Sequence, residues 1–140
     1  MIKITQKIGL MTGLLPALTW AAPGIQEVLT PAQYFECQIA ARQATVQGLQ
    51  ERVALHNKPG ATDADKRVAG DVSRSRVTLA LHNCGNQNAG MLGAYAHRNA
   101  DVLQTWLGAN PQVKARLDGL GQRVASLSAQ MPAISPSAKR

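Results

Sequence analysis

Through the central part of the chain apolar residues recur at helical spacing, and the strict alternation of a half-buried strand is missing. Phe35, Ile39, Val46, Leu49 and Val53 step by four, seven, three and four positions, which keeps them on one face of a helix from Thr30 to about Asn57. Thr30 can cap that helix, Pro31 suits its first position, and the Gln33 amide can reach back to the cap as in a capping box. Arg42 falls in the same stripe, and we read it as a marginal arginine whose stem packs while its charge stays in water. Pro59 and Gly60 interrupt the helix within HNKPGATDAD, and a second one begins at Thr62 or Asp63 with acidic residues in its first turn. It runs to about Asn83, with Val68, Val72, Leu79 and His82 along one face and Val77, Leu81 and Cys84 along the adjacent one.

The segment NCGNQNAG has the composition of a helix stop, with Gly85 as its left-handed cap. A third helix is predicted from about Asn88 to Leu107, presenting Met91, Leu92, Tyr95, Val102, Leu103 and Trp106 to the core. Gly108, Asn110 and Pro111 end it and start a fourth, which extends to about Gln130. There Val113, Leu117, Leu120, Val124, Leu127 and Met131 alternate steps of four and three, a heptad seam. Gly119 and Gly121 each weaken that helix by about 1 kcal/mol relative to alanine, so it must rely on packing.

The first two helices form an antiparallel hairpin, and this gives the two cysteines a meaning. Cys37 and Cys84 have their midpoint at 60.5, against 59.5 for the Pro59-Gly60 turn, so they lie at nearly the same height. A disulfide there would staple the open end of a hairpin roughly 35 Å long, at about 1.5 Å per residue. Gly48 and Ser73 also fall at matching heights, which permits close approach of the two backbones. The fold expected is all-α: a four-helix domain in which a long disulfide-stapled antiparallel helical hairpin packs against a second, shorter helix pair.

The N-terminus changes the picture of where the chain resides. Lys3 and Lys7 precede an uncharged run of 13 residues from Ile8 to Trp20, and small residues stand at Thr19 and Ala21. This is the physics of a signal peptide, and the run is shorter than the roughly 20 residues that span a bilayer. Residues 1–21 are therefore expected to be cleaved, residues 22–130 to form one helical domain, and residues 131–140 to be a disordered tail. After cleavage 13 basic residues face 8 acidic ones, a net charge of +5. That excess favours an acidic partner without selecting one, and without interleaved aromatic residues it does not point to nucleic acid. A periplasmic or secreted location also makes the disulfide the expected state of a lone cysteine pair.

Candidate chemistry is sparse. There is no G-x-S-x-G elbow, no C-x-x-C-H haem motif and no histidine pair at i and i+4. A zinc or copper site would require His82, His97 and a carboxylate to converge in the fold. Of the arginines Arg42, Arg52, Arg74 and Arg76, only Arg42 is on an inward face, and the carboxylates are too scattered to supply an acid and base pair. No catalytic residue and no cofactor are expected.

Binding is the broader class. Leu29-Thr30-x-x-Gln33 resembles the LTxxQ element of the periplasmic stress-chaperone family, in which the motif opens the helices of a curved hairpin that cradles unfolded clients. The resemblance covers 5 of the 119 residues that follow the signal peptide. A second copy is missing, since Val77-Thr78-Leu79 differs, and Met91 and Met131 are the methionines that remain. The family's client-binding residues are therefore not carried over. Gly85, Asn86, Gln87 and Asn88 form a candidate binding loop of the kind an inhibitor uses, in a segment that also serves as the interhelical connection. The function expected is an exported, non-catalytic, helical protein-binding module of the bacterial envelope, chaperone-like in the sense of the resemblance. The alternatives are a periplasmic immunity or inhibitor protein against a toxin or hydrolase and, less favoured, a small helical enzyme or metal-binding protein. The partner expected is a protein of the cell envelope, with no nucleic acid and no stable membrane insertion after cleavage.

Overall fold

The computed structural model describes residues 29–132; the signal peptide read at residues 1–21 and residues 133–140 of the tail lie outside them. Five helices follow one another: α1 (Pro31–His56), α2 (Asp63–Asn83), α3 (Ala89–Arg98), α4 (Ala100–Ala109) and α5 (Pro111–Ala129). No strand occurs among the described residues, and no helix there is long and apolar enough to cross a membrane.

Both hairpin helices start on a capping box. The Thr30 hydroxyl accepts from the Gln33 N–H at 3.2 Å, while the Gln33 side chain accepts from the Thr30 N–H at 3.0 Å. Thr62 and Asp65 repeat the arrangement at 3.1 and 2.9 Å. The Thr62 backbone N–H, and then its hydroxyl, hold the Asp65 carboxyl below the usual carboxylate range. A folded pKa below the unfolded one gives stability that is present above the unfolded value and is lost as pH falls through the folded value. Asp65→Asn should therefore flatten the acid limb of the stability curve below about pH 4. Urea midpoints at pH 7 and pH 3 check this, and equal losses in variant and wild type would contradict it.

The helix predicted from Asn88 to Leu107 is two helices. Asn99 leaves the helical region (φ −123°, ψ 25°), and both its backbone N–H and its side-chain Nδ2 donate to the Tyr95 carbonyl, at 3.0 and 2.9 Å. The asparagine amide competes for the backbone and ends α3, and α4 restarts at the next residue. This makes five helices where periodicity predicts four. The elbow also corrects the predicted core face: Leu92 and Leu103 are buried and Tyr95 and Trp106 half-buried, but Met91 and Val102 are exposed.

Helix α1 is the centre of the domain, with α2 on one side and α5 on another. Its predicted stripe, Phe35, Ile39, Val46, Leu49 and Val53, is buried throughout. Phe35, Ile39 and Val46 meet Leu103 of α4 and Leu117 and Leu120 of α5, and Trp106 stacks on Phe35 with ring centroids 5.3 Å apart. The predicted seam of α5 is buried or half-buried along its whole length, so the two glycines in that helix are offset by packing. A second cluster joins Cys37 to Leu81 and Leu92 at the start of α1. Cys37 and Cys84 are disulfide-bonded across a sequence separation of 47, with Cα atoms 5.5 Å apart. The stapled hairpin is therefore present as predicted.

Helix α2 ends beside the start of α1, and the α3–α4 elbow connects it to α5. Arg42 of α1 donates from Nη1 to the Leu117 carbonyl near the start of α5 at 2.8 Å, and Met131, just beyond its end, shares a groove with Leu49 and Leu55 of α1. Helix α5 thus runs parallel to α1. The staple and the elbow occupy one end of the domain, and the hairpin turn and the end of α5 occupy the other.

Candidate functional site

The side of the hairpin that faces solvent is decided by two small residues. A Cβ placed on Gly48 would lie 2.8 Å from the Ser73 Cβ and 3.3 Å from its Cα, so α1 and α2 touch almost backbone to backbone. This contact centres the packing face of α2 on Gly70, Ser73, Val77 and Leu81, of which Gly70 and Leu81 are buried. At 3.6 residues per turn, Val68, Val72 and Leu79 sit roughly 100 to 140° around the helix from Ser73. They are 61%, 44% and 57% exposed. Of the two apolar faces read from the sequence, the structure buries the one with Val77, Leu81 and Cys84 and turns the one with Val68, Val72, Leu79 and His82 outward.

Below Leu79 this stripe runs into a shallow groove of about 490 Å³ between the two hairpin helices. Leu55, Val68 and Val72 form its apolar walls, and Glu51, Lys58 and Asp65 are at its edge. The Arg76 guanidinium pairs with Glu51 at 2.7 Å across the α1–α2 seam, and Arg74 pairs with Asp71 along the outer side of α2. Chemically the arrangement is an aliphatic strip between charged margins on a disulfide-stapled hairpin, with the chemistry of a surface that accepts an apolar helix face.

The loop singled out in the sequence is occupied with ending one helix and starting the next. Gly85 and Asn86 have positive φ (72° and 56°), and the N–H groups of Asn86 and Gln87 return to the carbonyls of His82 and Leu81 at 2.8 and 3.0 Å. The Gln87 amide donates to the Gly85 carbonyl, and the Asn88 side chain accepts from the Met91 N–H at 2.9 Å as the cap of α3. His82 and His97 are both exposed, each in the last turn of its own helix. Among the described residues no group of three or more His, Cys, Asp or Glu side chains is placed to hold a metal.

Arg42 is half-buried, as its stripe position implies, and it bonds across the α1–α5 interface to the Leu117 carbonyl. Gly121 lies beside it, where a Cβ would stand in ordinary contact at 3.5 Å from Nη1. Tyr34, one turn from the cap, has its phenol pushed up by burial, with the Arg42 charge and a bond from Gln38 pulling the other way. Periodicity alone gave two candidate faces on α2 without ranking them. The signal that ranks them is the Gly48–Ser73 height match, followed along the small residues of the same face. No protein-family model matches the chain, and no curated protein or solved structure is significantly similar to it.

Proposed function

We propose that this chain is an exported, non-catalytic protein-binding module of the bacterial envelope, chaperone-like in action, that engages a partner through the outer face of α2. The observation that carries the reading is the line of Val68, Val72 and Leu79, large aliphatic side chains turned to solvent on a helix that a disulfide holds in place. Exposed aliphatic residues scattered singly need no explanation, but these three lie in one stripe that continues into an apolar groove. Their spacing, with Ser75 between them, is the four-three-four pattern that a facing helix interdigitates with. A disulfide between the two cysteines supports export, because such bonds persist in oxidising compartments.

The test is suppression of aggregation of an unrelated denatured protein by the purified, oxidised chain, compared with Val72→Asp/Leu79→Asp. Both positions are exposed, so the double variant should keep its helical signal, as surface changes cost within about 0.5 kcal/mol each. The expected result is suppression by the wild type and its loss in the variant. If the wild type does not suppress aggregation but one envelope protein co-purifies with it at fixed stoichiometry, the chain is an inhibitor or immunity protein and the chaperone-like reading fails. Equal suppression by wild type and variant would remove α2 as the binding face.

A further inference from the structure

A second groove, of about 360 Å³, lies at the end of the domain away from the staple, where the last turns of α1, the first turns of α2 and the end of α5 come together. Its floor is aliphatic, from Leu49, Leu55 and Met131, and its polar side chains include Arg52, His56 and Lys66. No carboxylate lines it. The ion pairs among the described residues are Arg74–Asp71, Arg76–Glu51 and Lys114–Asp118, so neither Arg52 nor Lys66 has a described carboxylate within 4.0 Å. Two cationic side chains lining one apolar groove raise the positive potential within it, and an anion seated there is favoured. A guanidinium fork matches the two oxygens of a carboxylate, and the Lys66 ammonium, carried by the other hairpin helix, adds a point charge. The volume is at the small end of the roughly 300–1,000 Å³ typical of ligand pockets, enough for one chain and too little for a two-chain lipid.

We propose that this groove binds a single-chain carboxylate amphiphile, with the hydrocarbon chain on Leu49, Leu55 and Met131 and the headgroup between Arg52 and Lys66. The groove shares Leu55 and Ala69 with the one beside the outer face of α2, but Arg52, Lys66, Leu49 and Met131 line this groove alone, and the assignment does not depend on the role given to that face.

Calorimetric titration of the purified, oxidised protein with decanoate, below the concentration at which it forms micelles, tests the assignment. Saturable binding of one molecule per chain is expected. Each added methylene should raise affinity roughly three- to fourfold until the groove is filled, so octanoate should bind about tenfold more weakly than decanoate. Methyl decanoate, which lacks the charge, and decyltrimethylammonium, which reverses it, should bind at least tenfold more weakly; this comparison uses the unaltered protein and is independent of any effect on folding. Arg52→Gln/Lys66→Gln should lower decanoate affinity at least tenfold while the far-ultraviolet spectrum is unchanged. The proposal is overturned by equal binding of the cationic amphiphile, by unchanged affinity in a folded double variant, or by an absence of saturable decanoate binding. Association with phosphatidylglycerol vesicles without binding of monomeric decanoate would assign the basic rim to a membrane surface and overturn it as well.

Discussion

Reducing the Cys37–Cys84 disulfide should lower the free energy of unfolding by about 4 kcal/mol, the loop-entropy value for a closed loop of this length. The bond separates residues 47 positions apart, so in the unfolded chain it removes the conformations of the whole α1–α2 segment. The effect is large because a domain of this size has only about 5–15 kcal/mol in total. Burial adds to it: Cys37 is 1% exposed and packs against Leu81 and Leu92, so reduction also loosens the contact between the hairpin and α3. Urea unfolding with and without dithiothreitol is the measurement. Cys37→Ala/Cys84→Ala is the matching variant, since alanine leaves no buried hydroxyl without a partner. Denatured without reductant, the protein should also yield no reactive thiol. Coincident unfolding curves for oxidised and reduced protein would show that the staple does not hold the hairpin.

Enlarging Gly48 should be the next most damaging change, and it should be repairable from the other helix. In Gly48→Ala the new methyl group would clash with Ser73 Cβ at 2.8 Å, which no rotation of the serine hydroxyl can relieve, and would crowd Ser73 Cα at 3.3 Å. The helix gains about 1 kcal/mol of propensity from alanine, but overpacking of a rigid contact costs about 1–3 kcal/mol, so net destabilisation is expected and Gly48→Leu should be worse. Ser73→Gly removes the opposing Cβ. The pair Gly48→Ala/Ser73→Gly should therefore be more stable than the sum of the single changes predicts, by about 1 kcal/mol or more in a double-mutant cycle. Additivity of the two changes would mean that the helices separate freely at this point and that the small-residue contact does not set their distance.

The same pair of residues explains what could be read from the sequence and what could not. Local signals were legible: Thr30 with Gln33, the Pro59-Gly60 turn, and the heptad seam of α5 each act within one element, and the structure has them at those positions. The stapled hairpin was legible because equal distance from a turn is a geometric property of the chain. The split at Asn99 was not, since a side-chain amide that bonds to a carbonyl one turn back leaves the apolar period almost undisturbed. The exposure of the Val68 stripe was not ranked, because period counts apolar residues and the packing face of α2 is instead made of small ones. The groove with Arg52, His56 and Lys66 was not visible at all: its parts come from three helices, and none of them forms a motif within its own segment.

The aromatic residues are distributed unevenly between the two ends of the domain. Beyond Trp20, the rings of the chain are Tyr34, Phe35, Tyr95 and Trp106, and they form a single contact group, Tyr95 on Tyr34, Tyr34 edge-on to Phe35 and Phe35 stacked on Trp106. All four are at the stapled end, and the hairpin-turn end is aliphatic. Among the described residues the protein is therefore optically one-sided. In the chain without residues 1–21, Trp106 emission and the near-ultraviolet dichroism would report the stapled end alone, so fraying of the turn end would lower the far-ultraviolet helical signal while leaving both aromatic signals at their native values.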